Sequence, residues 1–387
     1  MKRSVIVAFL AAIMLAGCVK EPQFIVFPHG GPQGEPYSTS LFVATDRHEA
    51  GGGNNLSAML QIMAANQNVV VPQTVLLGGD YVGRGPDHGE TGQPAFSVED
   101  IRSEVMRVMD PTQTELLLTY GSHDRGCTEG YNAFFSGPHR CDGYYVYGIS
   151  YAQMVFATDS LAQVSIDLYL EQGDDTTSTT PPPPPSSDST GTDTVPPRPS
   201  GPKAYNGIDA ADPFGISAES ATRRFTAWVN SLSDDAPIVV MSHVPIHAQR
   251  GDNPGGEAWF NALQDAAQHH DVILLFGHNH SLEERGDLAD QEVYLLVPGD
   301  SISVQSDSAV GVQRHMMNFT YANAGYLKLG HSSLITFIDS HGSGQFDKVS
   351  IRRYSLDGTD NQYFGTTRHR NPYTASLRRG SRSQNPR

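Results

Sequence analysis

The stretch Thr74-Val75-Leu76-Leu77-Gly78-Gly79-Asp80-Tyr81-Val82-Gly83-Arg84-Gly85 decides how this chain is read. A short apolar run, Thr74–Leu77, reads as a strand. Two glycines close it, and a carboxylate stands where it ends. Working outward, Leu41–Thr45 is a similar run and Asn55–Asn66 has a helical pattern. Val98–Met109 is again helical, followed by the strand-like Glu115–Thr119. The alternation resumes with helical Ser217–Leu232, strand Pro237–Met241, helical Glu257–His269 and strand Val272–Phe276. Strands alternating with helices predict α/β layers. The later runs Val293–Val297, Ser333–Ile338 and Val349–Tyr354 have no long helices between them. They predict a second, more antiparallel sheet.

Composition narrows the functional classes. The chain has 387 residues, with 26 basic and 42 acidic side chains and a formal charge of −16. That balance argues against broad binding to nucleic acid, which needs cationic surface. Three cysteines are too few for a disulfide scaffold.

Five short segments carry chemistry, each following or closing a predicted strand. They are Asp46-Arg47-His48, the Gly79–Gly85 block, Gly121-Ser122-His123-Asp124-Arg125, Ser242-His243-Val244-Pro245 and Gly277-His278-Asn279-His280. Strand ends are where ligand-binding loops converge in α/β sheets. Imidazole and carboxylate suit Zn, Fe, Mn and Ni. The donors offered are more than one tetrahedral site needs, and suit two cations sharing a carboxylate.

In this order the segments resemble the calcineurin-like metallophosphoesterases, over roughly residues 40–355. The family pattern is Asp-X-His, Gly-Asp-X-X, Gly-Asn-His-Asp/Glu, a lone His and Gly-His-X-His. The resemblance implies a two-sheet β-sandwich flanked by helices, forming one α/β domain. It implies hydrolysis of a phosphoester by a metal-activated water, with two divalent ions (Mn, Zn or Fe). Asp46, His48 and His280 would bind the first metal, Asp80 would bridge, and His243 and His278 would bind the second. His123 would act on the substrate as acid or phosphate ligand, oriented by Asp124. Arg84 would grip phosphate, as in the protein-phosphatase version of its block, with Arg125 a weaker second candidate. Ser122 stands where the family has an asparagine ligand; a hydroxyl is shorter and a weaker donor, so either a water bridges to the ion or the second site is weak and fills only at high metal. Gly83 stands where the purple acid phosphatases place a tyrosine, which argues against an iron(III) centre.

The flanks read differently. Lys2 and Arg3 precede the apolar run Val5–Leu15, which ends Leu15-Ala16-Gly17-Cys18. A positive start, a short apolar core and small residues before a cysteine make an export signal over 1–17, resembling the bacterial lipoprotein box with Cys18 lipidated. Residues 18–40 would be a Pro/Gly-rich tether ahead of a domain at 41–355. This predicts an envelope protein anchored in the membrane through lipid, at the periplasmic face of the outer membrane or the cell surface. In such a compartment Cys127 and Cys141 could pair. Residues 174–203 hold nine prolines, five of them consecutive, and no aromatic residue. They cannot offset their own ordering entropy, and the motifs fall on both sides, so they predict a disordered insertion within one domain. Residues 356–387 form an Arg-rich tail, with six arginines beyond Asn361.

The sequence names no substrate. Phosphorylated small molecules and lipid headgroups fit the charge and the anchor; nucleic acid does not. Two other readings stand beside the main one: a binding protein on a catalytically weakened phosphoesterase fold, and an exported nuclease or phosphodiesterase guided by the arginine tail.

Overall fold

The computed structural model describes residues 36–48, 55–65, 72–82, 97–121, 123–124, 133–149, 218–247, 256–278, 295–305, 312–356, 363–364 and 369–378. The export signal with Cys18, most of the tether, the Pro-rich insertion, Arg84, Ser122, Arg125, Cys127 and His280 lie outside them. None of the described helices is long and apolar enough to cross a membrane.

In chain order the strands are β1 (Tyr37–Ala44), β2 (Thr74–Leu77), β3 (Glu115–Leu118), β4 (Gly137–Arg140), β5 (Tyr145–Ile149), β6 (Ile238–Ser242), β7 (Val272–Phe276), β8 (Leu295–Leu296), β9 (Ser301–Gln305), β10 (Val312–Met316), β11 (Thr320–Asn323), β12 (His331–Asp339), β13 (Lys348–Ser355), β14 (Tyr363–Phe364), β15 (His369–Arg370) and β16 (Tyr373–Ser376). The helices are α1 (Asn55–Ala65), α2 (Val98–Met106), α3 (Ala218–Ser231) and α4 (Gly256–Ala266). Two six-stranded sheets result, ordered β16-β13-β12-β1-β2-β3 and β4-β5-β6-β7-β11-β8.

Alternation along each strand sets the layers. In β1, Leu41 and Val43 point into the space between the sheets, where they meet Val239, Met241, Ile273, Leu275, Ile335 and Phe337. Phe42 and Ala44 point the other way, onto Leu56, Met59, Leu60 and Met63 of α1 and Ile101 and Val105 of α2. In the second sheet Val240, Leu274 and Phe276 face Phe225 of α3 and Trp259 and Leu263 of α4. The order of layers is therefore helix, sheet, sheet, helix. Strands buried on both faces read as unbroken apolar runs, which is why β2, β6 and β7 are legible in the sequence.

The partition between sheets departs from the sequence reading. Ser333–Ile338 and Val349–Tyr354 do not found a separate antiparallel sheet. β12 pairs antiparallel with β1 from Tyr37↔Asp339 to Val43↔Ser333, and β13 pairs with β12. On its other edge β1 pairs in parallel with β2, and β2 with β3. The second sheet is mixed in the same way: β5, β6, β7 and β11 run parallel, with β4 and β8 antiparallel at its edges. The domain boundaries shift as well. β1 begins at Tyr37, inside the expected tether. The expected tail contributes β16, which pairs with β13 from Lys348↔Ser376 to Ile351↔Tyr373, and Leu377 is buried. The alternating Tyr373 and Ala375 pack on the inter-sheet core, a short-range signal that the surrounding arginines mask.

Local chemistry fixes α2. Ser97 caps it: its hydroxyl accepts from Asp100 N at 3.0 Å, and Asp100 accepts from Ser97 N at 3.1 Å. Such a reciprocal box is worth about 1 kcal/mol. The helix then places buried Glu104 where it pairs with Arg47, between the two candidate ligands Asp46 and His48.

Candidate metal centre

The parallel strands of both sheets deliver their C-terminal ends to one place. Asp46 and His48 follow β1, Asp80 follows β2, His123 and Asp124 follow β3, His243 follows β6 and His278 follows β7. Backbone hydrogen bonds sew these loops together. Asp46 N donates to Gly79 O at 3.0 Å, His48 N to Asp80 O at 3.1 Å, and Gly277 N to His243 O at 3.0 Å. Gly79 and Gly121 make this approach possible. A Cβ on Gly79, whose φ is +93°, would lie 2.5 Å from Gly121 N; one on Gly121 would lie 2.2 Å from Asp80 N. Either methyl group would push the β2 and β3 loops apart.

Among the described residues, the non-glycine positions with left-handed backbone are Asp46, His48, Asp80 and His278 (φ 54°, 44°, 56° and 63°). All four are candidate ligands. Side chains rarely adopt this conformation, and backbone strain concentrates at functional sites.

Asp80 is fully buried and central. Its Oδ2 lies 3.2 Å from His243 Nε2, 3.8 Å from His48 Nε2 and 3.8 Å from His123 Nε2. Its Oδ1 accepts from His123 N at 2.7 Å. Asp46 Oδ1 is 3.7 Å from His48 Nε2, and Asp46 Oδ2 accepts from His278 N at 2.9 Å. The ring edges are set from behind. Val82 O lies 3.1 Å from His48 Nδ1, and Gly78 O lies 2.9 Å from His243 Nδ1. A carbonyl takes a proton on Nδ1, which turns the Nε2 lone pair inward, the tautomer that a metal ligand needs. Two groups, His48-Asp80-His123 and Asp80-His243-His278, each bring their donor atoms within 4.8 Å of one another, and Asp80 belongs to both.

This donor set suits cations. Burial alone would raise the Asp80 carboxyl and lower the His243 imidazole. Their mutual attraction reverses both, holding Asp80 below the usual carboxylate range and His243 up at about 9. Burial acts first on His48 as well, and the Asp46 and Asp80 carboxylates raise it overall. A cluster that draws protons onto its imidazoles in this way presents the negative potential that divalent ions would compensate.

Asp124 has a different place from the one the sequence suggests. Its Oδ2 accepts from Gly121 N at 2.7 Å and Asp80 N at 2.9 Å, and its Oδ1 accepts from Tyr81 N at 2.7 Å. Burial, then the Asp80 charge, push its carboxyl up. It does not orient the His123 ring; its oxygens are occupied by backbone, including that of the Asp80 loop, 43 and 44 residues earlier in the chain. Cys141 is a free thiol facing Thr74 and Glu115; Cys127, its expected partner, lies outside the described residues. Sequence reading also misses Tyr326. Its ring stands edge-on to His48 with centroids 6.1 Å apart, and the chain after it bonds back to the first loop, Leu327 N to Thr45 O and Lys328 N to Asp46 O. No motif marks it; the bridge between Thr45 and Tyr326 forms only in the fold.

The profile of the family described as calcineurin-like phosphoesterase matches residues 39–282, more than half the chain. The chain belongs to the calcineurin-like phosphoesterases. The matched span reaches from β1 through β7 and includes every strand end that carries a candidate ligand. Among solved structures, the chain is similar to a 5'-nucleotidase precursor from Thermus thermophilus, at 10% identity and a TM-score of 0.38. That alignment covers 84% of this chain and 56% of the other, so the chain spans little more than half of that nucleotidase precursor. It is also similar to the calcineurin-like phosphoesterase YfkN from Bacillus subtilis, at 14% identity and a TM-score of 0.39, covering 84% of this chain and 93% of that one. No curated protein matches the sequence.

Proposed function

We propose that this phosphoesterase is a hydrolase that uses two divalent cations, held on either side of Asp80, to cleave a phosphoester with water. The carrying observation is the sharing of one buried carboxylate between two histidine groups. Asp46 and His48 would hold one ion and His243 and His278 the other, with His280 and Ser122 as further donors from the family pattern. Bound there, the ions would supply Lewis-acid stabilisation of phosphoryl oxygens and a lowered pKa for water.

The chain's own residues divide the remaining work. His48 and His243 are buried and backbone-anchored, fit for holding rather than for moving protons. The His123 side chain keeps 22% of its surface exposed at the mouth of the cluster, the position for a group that meets substrate and protonates the leaving oxygen. His123→Ala is expected to lower turnover about 10²–10⁴-fold while metal content stays near that of the parent. Metal analysis beside kinetics checks this; loss of metal together with activity would place His123 among the ligands. The reaction itself is tested by assaying phosphomonoesters and phosphodiesters after chelation and reloading with Mn, Zn or Mg. Absence of metal-dependent turnover on every member would defeat the hydrolase reading.

For location, the reading is an envelope protein tethered through lipidated Cys18, acting on phosphorylated small molecules or lipid headgroups. It rests on the sequence of residues 1–18. Cys18→Ser is expected to move the protein from the membrane to the soluble fraction of its host; retention at the membrane would remove the lipid anchor from the proposal.

A further inference from the structure

The two sheets meet along one edge of each. β3 ends the first sheet and β4 ends the second. Phe135 N, just before β4, donates to Leu118 O at the end of β3. At the opposite end of β3 stands Glu115, six residues before Gly121, so about 20 Å away along the strand at ~3.3 Å per residue. His139 and Cys141 alternate along β4 and its exit, so both face Glu115. His139 Nε2 lies 2.6 Å from Glu115 Oε1, and Cys141 Sγ lies 4.0 Å from Glu115 Oε2. The three donor atoms are all within 4.8 Å of one another. Glu115 and Cys141 help line a cleft of about 420 Å³.

We propose that Glu115, His139 and Cys141 bind one zinc ion that clasps the edge of the first sheet to the edge of the second. Thiolate, imidazole and carboxylate together select zinc over magnesium or manganese. Tetrahedral zinc with bonds of ~2.0–2.3 Å spaces its donors roughly 3.3–3.8 Å apart. The present spacings bracket that range, and the half-exposed Glu115 and His139 side chains have room to adjust. Water completes the fourth position. The surroundings favour the site. Thr74 Oγ1 lies 3.7 Å from the sulfur and is itself bonded to Tyr144 at 2.9 Å, so a hydroxyl is aimed at the developing thiolate. Arg140, between the two β4 ligands, also lines this cleft, but its guanidinium is engaged elsewhere. Its guanidinium pairs with Asp234 at 3.3 Å and lies over the Tyr145 ring at 4.2 Å, so it does not compete for Glu115. Burial pushes the Cys141 thiol up to about 11, so the free residue is protonated and zinc must displace its proton.

The test uses the full chain, reduced, stripped with chelator and titrated with cobalt(II) as an optical substitute for zinc. The histidine–aspartate centre has no sulfur among its assigned donors, so a thiolate-to-cobalt absorption band in the near ultraviolet reports the clasp alone. The wild-type protein should develop that band to the amplitude of one thiolate–cobalt site per chain, within the three equivalents that the clasp and the two-ion centre together can take, and Cys141→Ser should abolish it. His139→Gln should weaken it at least about tenfold. Zinc should raise the melting temperature of the wild type more than that of Cys141→Ser. A reduced wild type without the band, a band that survives in Cys141→Ser, or a Cys127–Cys141 disulfide in protein isolated without reductant would each overturn the proposal.

Discussion

Asp80→Asn should abolish turnover, by about 10³-fold or more, and strip metal from both positions while leaving the protein folded. The carboxylate faces His48, His123 and His243 at once, and an amide brings no charge to offset two cations. The fold should tolerate the change. Asparagine keeps an oxygen for His123 N, which now donates to Asp80 Oδ1 at 2.7 Å, and it relieves the repulsion between Asp80 and Asp124. Metal content by elemental analysis, kinetics on a generic phosphoester and thermal unfolding together check the outcome. Near-normal turnover in Asp80→Asn would overturn the two-cation assignment, because no other described side chain belongs to both donor groups.

Asp124→Ala should damage stability and metal binding together. Three backbone N–H groups, those of Asp80, Tyr81 and Gly121, lose their acceptor inside the protein. At about 1–3 kcal/mol for each buried donor left unmade, the three together cost roughly 3–9 kcal/mol, a fall in melting temperature of the order of 10 °C. The Asp80 loop, held in left-handed backbone at its ligand residue, then relaxes, and metal affinity falls with it. A residue that only oriented His123 would change turnover and its pH profile without touching metal content or melting temperature. Measuring all four in Asp124→Ala and Asp124→Asn separates the two roles. Unchanged metal affinity and melting temperature would return Asp124 to the catalytic relay.

Local sequence carries the ligand types and their positions at strand ends. Apolar runs closed by glycine and followed by Asp or His can be read one segment at a time, because strand burial and loop chemistry are short-range. For the same reason β2 and β7 are legible to the residue, while β4, Gly137-Pro138-His139-Arg140, is not. It is a polar edge strand whose only partner among the described strands is β5, so nothing in its own pattern announces pairing.

Assembly of the centre is decided elsewhere. His243 reaches Gly78 O across 165 residues and between the two sheets, and Asp124 reaches back 44 residues to hold Asp80 N. Sequence order shows that these groups exist. It cannot show that Asp124 serves the backbone rather than the neighbouring imidazole, since adjacency in the chain is no measure of where a carboxylate points. Nor can it assign β12 to β1, or set Glu115 beside His139 and Cys141. Those juxtapositions depend on which sheet each strand joins. That follows from packing Leu41, Val43, Ile335 and Phe337 against Val239 and Ile273: a cooperative burial of apolar surface that no single segment encodes.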